Sequence, residues 1–182
     1  SKYFNGKYVS FLSPNIINFK NFFYCFLQAK KKNFKESEIV VLQSKDLKKW
    51  NEIDLDMKNN ISIQTPSIFN YKKKNYLICS KNYKHFFIYC FKIRKSKISI
   101  NFKKKIFSLD SSKFYLRYSP LIVNFKKIYF LIFSEWINKN KSCIKIQTSK
   151  NLLKWNSYMV IFGKKRFKLI SEPFIKKINK NF

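Results

Sequence analysis

Chemistry in this chain has to come from few groups. Nine carboxylates, one histidine and four cysteines stand among 182 residues. Ser13, Ser119 and Glu172 each sit directly before a proline. A carboxyl group can give or take a proton, and two in unlike surroundings can divide those roles. A hydroxyl is no general base at neutral pH unless a neighbour activates it, and no activating group stands beside either serine in sequence. Of the other carboxylates, Glu36 and Glu38 belong to a hairpin, Asp46 to a turn, and Glu52, Asp54 and Asp56 lie just beyond it. Asp110 and Glu135 are the reserves, although each also reads as a solvated loop charge. His85 opens an apolar run and reads as a residue at the start of a strand. The sequence has no metal-ligand spacing, no glycine-rich phosphate loop and no Ser/His/Asp ordering, and so calls for no metal and no cofactor.

The prolines themselves show what must position these groups. Pro14, Pro66, Pro120 and Pro173 are separated by 52, 54 and 53 residues, and they are all the prolines in the chain. A second mark recurs: SKDLKKW at 44–50 matches SKNLLKW at 149–155, an offset of 105 residues. Within each block short runs rich in Phe, Tyr and Ile alternate with polar clusters, the pattern of strands. A period near fifty with about four strands per unit predicts a radial array of stacked sheets. The fold expected is all-β, a β-propeller of four-stranded antiparallel blades. The repeats run over 8–60, 61–114 and 115–168, with a fourth starting at 169–182, all within one domain or fragment spanning 1–182. A proline is expected at the start of each inner strand, and Trp50 and Trp155 are expected to pack between blades before serving any ligand.

Composition adds boundaries. The formal net charge is +30, yet of 39 basic residues only Arg94, Arg117 and Arg166 are arginine. Abundant Lys, Asn, Ile, Phe and Tyr beside scarce Gly and Ala fit an AT-rich genome, which would produce much of this charge without selection for a partner. The four cysteines form no C-x-x-C pair and read as buried thiols of a reducing, cytoplasmic setting. No apolar run approaches the ~20 residues of a membrane span, and no signal peptide is visible at the N-terminus.

The blade openings and the two SK-x-L-x-K-W phrases resemble the five-bladed propellers of glycoside hydrolases, the arabinosidase/xylosidase and invertase/fructosidase types. The strands YLICS and YFLIFS are similar to the Tyr-rich strand of those enzymes. The resemblance covers residues 8 to 175 and implies carboxylates converging on the propeller axis, one as base or nucleophile and one as acid. Residue by residue, Ser13-Pro14-Asn15 falls on the first opening, with serine where the family has aspartate. Arg117-Tyr118-Ser119-Pro120 falls on the middle one, with Ser119 replacing the carboxylate. Ser171-Glu172-Pro173 falls on a later one and keeps a glutamate, directly before proline. The resemblance thus implies Glu172 as candidate general acid. It assigns Ser13, Asn15, Arg117, Tyr118, Ser119 and Trp136 to substrate binding, with Phe69 as a further ring that could stack on a sugar.

Two functions follow from different classes. The first is a glycosidase-like propeller that acts on or binds a carbohydrate, its catalytic competence in question with two of three carboxylates gone. The second is a basic module for nucleic acid or another polyanion, using KKK runs at 30–32, 72–74 and 103–105 that read as turns. About three and a half blades where the resembled fold has five implies a longer chain or a partner, such as another copy, completing the ring.

Overall fold

The computed structural model describes residues 7–32, 37–57, 62–94, 97–107, 116–138, 141–157 and 159–162, which form twelve strands. The first four are β1 (Tyr8–Phe19), β2 (Phe22–Lys31), β3 (Ser37–Ser44) and β4 (Asn51–Asp56). Next come β5 (Ile63–Tyr71), β6 (Lys74–Lys81), β7 (His85–Arg94) and β8 (Lys97–Phe107). The last are β9 (Leu116–Phe125), β10 (Ile128–Asn138), β11 (Lys141–Ser149) and β12 (Met159–Phe162). Each set of four is an antiparallel meander. Among the described residues no helix is long and apolar enough to cross a membrane.

A β-meander with apolar side chains on both faces has to be covered twice, and the three sheets do this for one another. Alternation along β6 divides the labour. Leu77 and Cys79 face blade one, where they meet Tyr24, Phe26, Ile39 and Val41. Ile78 faces blade three, with Ile122, Leu131 and Phe133. Phe26 and Phe91 pack at 5.3 Å across the first junction, and Phe86 and Phe133 at 5.2 Å across the second. The innermost strand of blade two, β5, touches both β1 and β9. This is the β-propeller arrangement. All four cysteines are buried, as expected of apolar thiols, and none is in a disulfide.

One pairing was not legible in the repeat. The outer strands β4 and β8 run parallel and join blades one and two into an eight-stranded sheet, through Asp54–Lys97, Leu55–Ile98 and Asp56–Ser99. Two outer edges, which would otherwise present unpaired backbone, cover each other.

The hairpin turns at 20–21, 72–73 and 126–127 are two-residue connections lacking glycine: Lys20–Asn21, Lys72–Lys73 and Lys126–Lys127. All six residues have positive φ, between 46° and 64°. This geometry matches the twist of the strands but suits Asn-Gly, and a lysine in it is strained by about 1–2 kcal/mol. Lys127→Gly is therefore expected to raise stability by about 1 kcal/mol after the entropy cost of glycine, and Asn21→Gly by less. A higher urea midpoint at unchanged slope is the result to look for; a lower midpoint would contradict the turn assignment.

Candidate functional site

The same distortion is built into all three inner strands. β1 loses register with β2 between Leu12 and Asn15, β5 with β6 between Gln64 and Ser67, and β9 with β10 opposite the Ile132–Ser134 step. Each break falls on the residue before a proline. Ser13, Thr65 and Ser119 have φ of 51°, 50° and 51°. Such a conformation in a non-glycine residue costs about 1–3 kcal/mol, and a following proline ordinarily favours extended backbone. Pro14, Pro66 and Pro120 do not start their strands, as the sequence pattern suggests, but lie inside them, and Pro173 lies outside the described residues. The bulge explains why they are tolerated, because its residues leave the ladder and no N–H is missed there. A bulge also re-aims the side chains around it. Three neighbouring inner strands carry it at the same place.

A buried polar layer supports the second of these bulges, at Thr65. The Thr65 N–H donates to Gln28 Oε1 at 3.0 Å, and the Thr65 and Ser80 hydroxyls lie 3.3 Å apart. Ser37 Oγ donates to the Ile63 carbonyl at 3.1 Å, and the Tyr83 N–H to Gln64 Oε1 at 3.3 Å. Gln28, Ser80 and Ser134 each stand fourteen residues after their blade's proline, and all three are buried. Around Thr65 these bonds hold the strained backbone from below, since buried polar groups must find partners. Sequence reading missed Thr65 and this layer. The signal was present in Thr65–Pro66, which matches Ser13–Pro14 and Ser119–Pro120.

Of the expected binding residues, Ser13 and Ser119 are the bulge residues themselves, half-buried, with Asn15 half-buried just past the first bulge. Arg117 and Tyr118 lie on β9 in register with Glu135 and Ser134, their side chains outside the described residues. Trp136 is half-buried on β10, in register with Leu116 and Ser142. Asp110 and Glu172 lie outside the described residues. Phe69 is buried and stacks on Tyr76 at 5.3 Å, so it is core and not a platform for sugar.

Glu135 requires a correction. It is no solvated loop charge: it sits inside β10, 1% exposed, and pairs with the ammonium of Lys145, itself 6% exposed. Lys145 stands opposite Phe133 and Cys143 opposite Glu135, so the pair is a diagonal across β10 and β11. Glu135 shares a face with Phe133 and looks toward blade two.

The other described carboxylates also have structural partners. Glu38 accepts from Tyr8 Oη at 2.9 Å and pairs with Lys31 at 2.9 Å. Burial first, then this hydrogen bond, raises the Tyr8 hydroxyl's pKa. Glu52 pairs with Lys7 at 3.4 Å, and Asp54 and Asp56 share Lys97 at 3.4 and 3.3 Å. Asp46 caps its own turn, accepting from the N–H groups of Lys48 and Lys49 at 2.8 and 2.9 Å. The Lys49 and Lys48 N–H groups hold its carboxyl below the usual value. Asn151 does the same for Leu153 and Lys154 at 2.9 and 3.0 Å, and Leu47 and Leu152 share a left-handed φ of 64° and 62°. The SK-x-L-x-K-W phrase is thus a side-chain-capped turn. It delivers Trp155 to the cluster between blades two and three, as expected, whereas Trp50 packs on a cluster made of blade one alone rather than between blades. His85 does open a strand, as expected.

No family model and no curated protein matches this sequence. Solved structures do resemble it. An α-L-arabinofuranosidase from Lactobacillus brevis superposes with a TM-score of 0.66, at 13% identity over 85% of this chain and 56% of its own. An α-L-arabinanase from Penicillium chrysogenum, solved with arabinobiose, gives 0.63 at 15% identity over 89% and 53%. Bacteroides ovatus Xyloglucan PUL GH43B gives 0.61 at 14% identity over 91% and 31%. The chain spans between about a third and just over half of these structures. At such identities the likeness establishes the fold, the propeller expected from the repeat.

Proposed function

We propose that this chain is part of a carbohydrate-binding propeller of the glycoside-hydrolase kind, with the sugar seated against the bulged inner strands. The observation that carries this reading is the triple bulge: three strained pre-proline residues on neighbouring strands, with Ser13 and Ser119 half-buried and the Thr65 hydroxyl buried against Ser80. Ser13, Asn15, Arg117, Tyr118, Ser119 and Trp136 form the binding set, the hydroxyls and amide bonding sugar hydroxyls and Trp136 stacking on a ring face. Three blades and the opening of a fourth belong to this chain. Hydrolysis would need a carboxylate pair about 5–10 Å apart, and at two of the three openings the resembled family's carboxylate is a serine. Glu172 is the remaining candidate acid, and its partner would have to be Asp110 or a Glu135 released from Lys145. Binding without cleavage is the reading the residues support best.

The test is calorimetry with neutral arabino-, xylo- and fructo-oligosaccharides at low and high salt, alongside a reducing-sugar assay. One of these series should bind independently of salt, Trp136→Ala should weaken it about tenfold, and no reducing ends should appear. If none binds, the reading is wrong. If sugar is released and Glu172→Gln stops it, the chain is an enzyme and the binding-only reading fails.

A further inference from the structure

A second region combines charge, shape and aromatic surface far from the bulges. Phe19 lies six residues along β1 from Ser13, roughly 20 Å at 3.3 Å per residue. Two hollows of about 720 and 550 Å³ meet there, at the hairpin end of the junction between blades one and two. They share Phe19, Ile93 and Arg94 and so form one trough.

Lys20, Lys73, Lys74, Lys92 and Arg94 line it, all exposed. Among the described residues no carboxylate lines either hollow. Asp54 and Asp56, on the neighbouring β4–β8 seam, are engaged by Lys97. One of only three arginines in the chain stands where the hollows join. Between the cations the trough presents half-buried rings, Phe19 and Phe22. The Lys20 ammonium stands 5.6 Å from the Phe19 ring centroid, and that of Lys45 stands 5.4 Å from Phe22. Charge and ring therefore occur together at a spacing set by the fold.

We propose that this trough binds single-stranded nucleic acid, phosphates on the lysines and Arg94, bases against Phe19 and Phe22. Alternating anionic and flat apolar groups are what this lining complements, and stacking on aromatic rings within a cationic groove is sequence-tolerant. A duplex hides its base faces, whereas rings recessed between two blades reach only splayed bases. An acidic polysaccharide would also satisfy the lysines, but its puckered, charged rings match the Phe19 and Phe22 faces less well than planar bases do.

A +30 chain attracts any polyanion, so the experiment has to separate the trough from the general field. Fluorescence anisotropy with a labelled oligothymidine 12-mer is measured from 50 to 300 mM KCl. Lys73→Glu with Arg94→Glu should weaken binding about tenfold or more, and lower the salt slope by about 0.7 for each phosphate no longer neutralised. Lys150→Glu with Lys154→Glu, exposed in blade three, makes the same change in net charge and should cost less than about threefold. Lys74→Gln with Lys92→Gln gives a milder second pair, expected to cost about fivefold, should the reversal impair folding. Phe19→Leu keeps the packing and should weaken the oligonucleotide several-fold while leaving heparin binding unchanged. Equal losses from the trough and blade-three reversals would overturn the proposal. So would a Phe19→Leu protein that binds oligothymidine normally, which would leave heparin-like chains as the better fit.

Discussion

Lys145→Met is expected to lower the stability of this protein by about 3–5 kcal/mol, because it takes away the ammonium paired with buried Glu135. Glu135 and Lys145 are 1% and 6% exposed, so water cannot replace the lost ammonium without opening the sheet. Replacing both, as Glu135→Leu with Lys145→Met, removes the desolvation cost together with the attraction. The double variant is expected to be close to the parent or more stable by about 1–4 kcal/mol. Against a typical domain stability of about 5–15 kcal/mol the single change should be obvious in a urea melt. One substitution should thus harm the protein more than two. A neutral Lys145→Met would mean that Glu135 does not depend on this partner, and would return it to the carboxylates available for chemistry.

Why this pair escaped sequence reading is physical. A glutamate after an apolar run ordinarily marks the way out to solvent, since unpaired charges are almost never fully buried. Its partner lies ten residues on, across a hairpin whose register depends on backbone pairing that no local pattern reveals. The prolines were different. Their spacing of 52 to 54 residues is a property of the chain alone, and it disclosed the propeller correctly. What the spacing could not disclose is that Ser13, Thr65 and Ser119 are bulged, because proline is compatible with both a strand start and a bulge. Charge runs misled in the same manner. Of KKK at 72–74 Lys72 and Lys73 do form a turn and Lys74 opens β6, but Lys103–Lys105 lies inside β8, where only the register with β7 shows it to be a strand. The edge pairing of β4 with β8 is tertiary, and three residue pairs are too few to leave a pattern.

Phe133→Ala is the second large effect expected, about 3–5 kcal/mol from lost burial and the cavity left behind. Phe133 is fully buried and meets Phe86 edge-on at 5.2 Å, which adds about 0.5–1.5 kcal/mol beyond area. Its position decides how the loss should be distributed. Blades one and two share a cluster running from Tyr24 to Ile98 and also the β4–β8 ladder. Blade three is a separate sheet, tied to blade two among the described residues by side chains such as Ile122, Leu131 and Phe133. In a stacked-repeat system a weakened interface uncouples its neighbours. The three tryptophans allow this to be read. Trp50 reports on blade one, Trp136 and Trp155 on blade three. In the parent, fluorescence of a Trp50→Phe variant and of a Trp136→Phe/Trp155→Phe variant should give coincident urea transitions. With Phe133→Ala added, the blade-three signal should fall at lower urea than the Trp50 signal. Two transitions that move together would show that the interface couples the whole stack, and that blade three has no independent unfolding step. A shift below about 1 kcal/mol in both would mean Phe133 is not the buried side chain on which blade three depends.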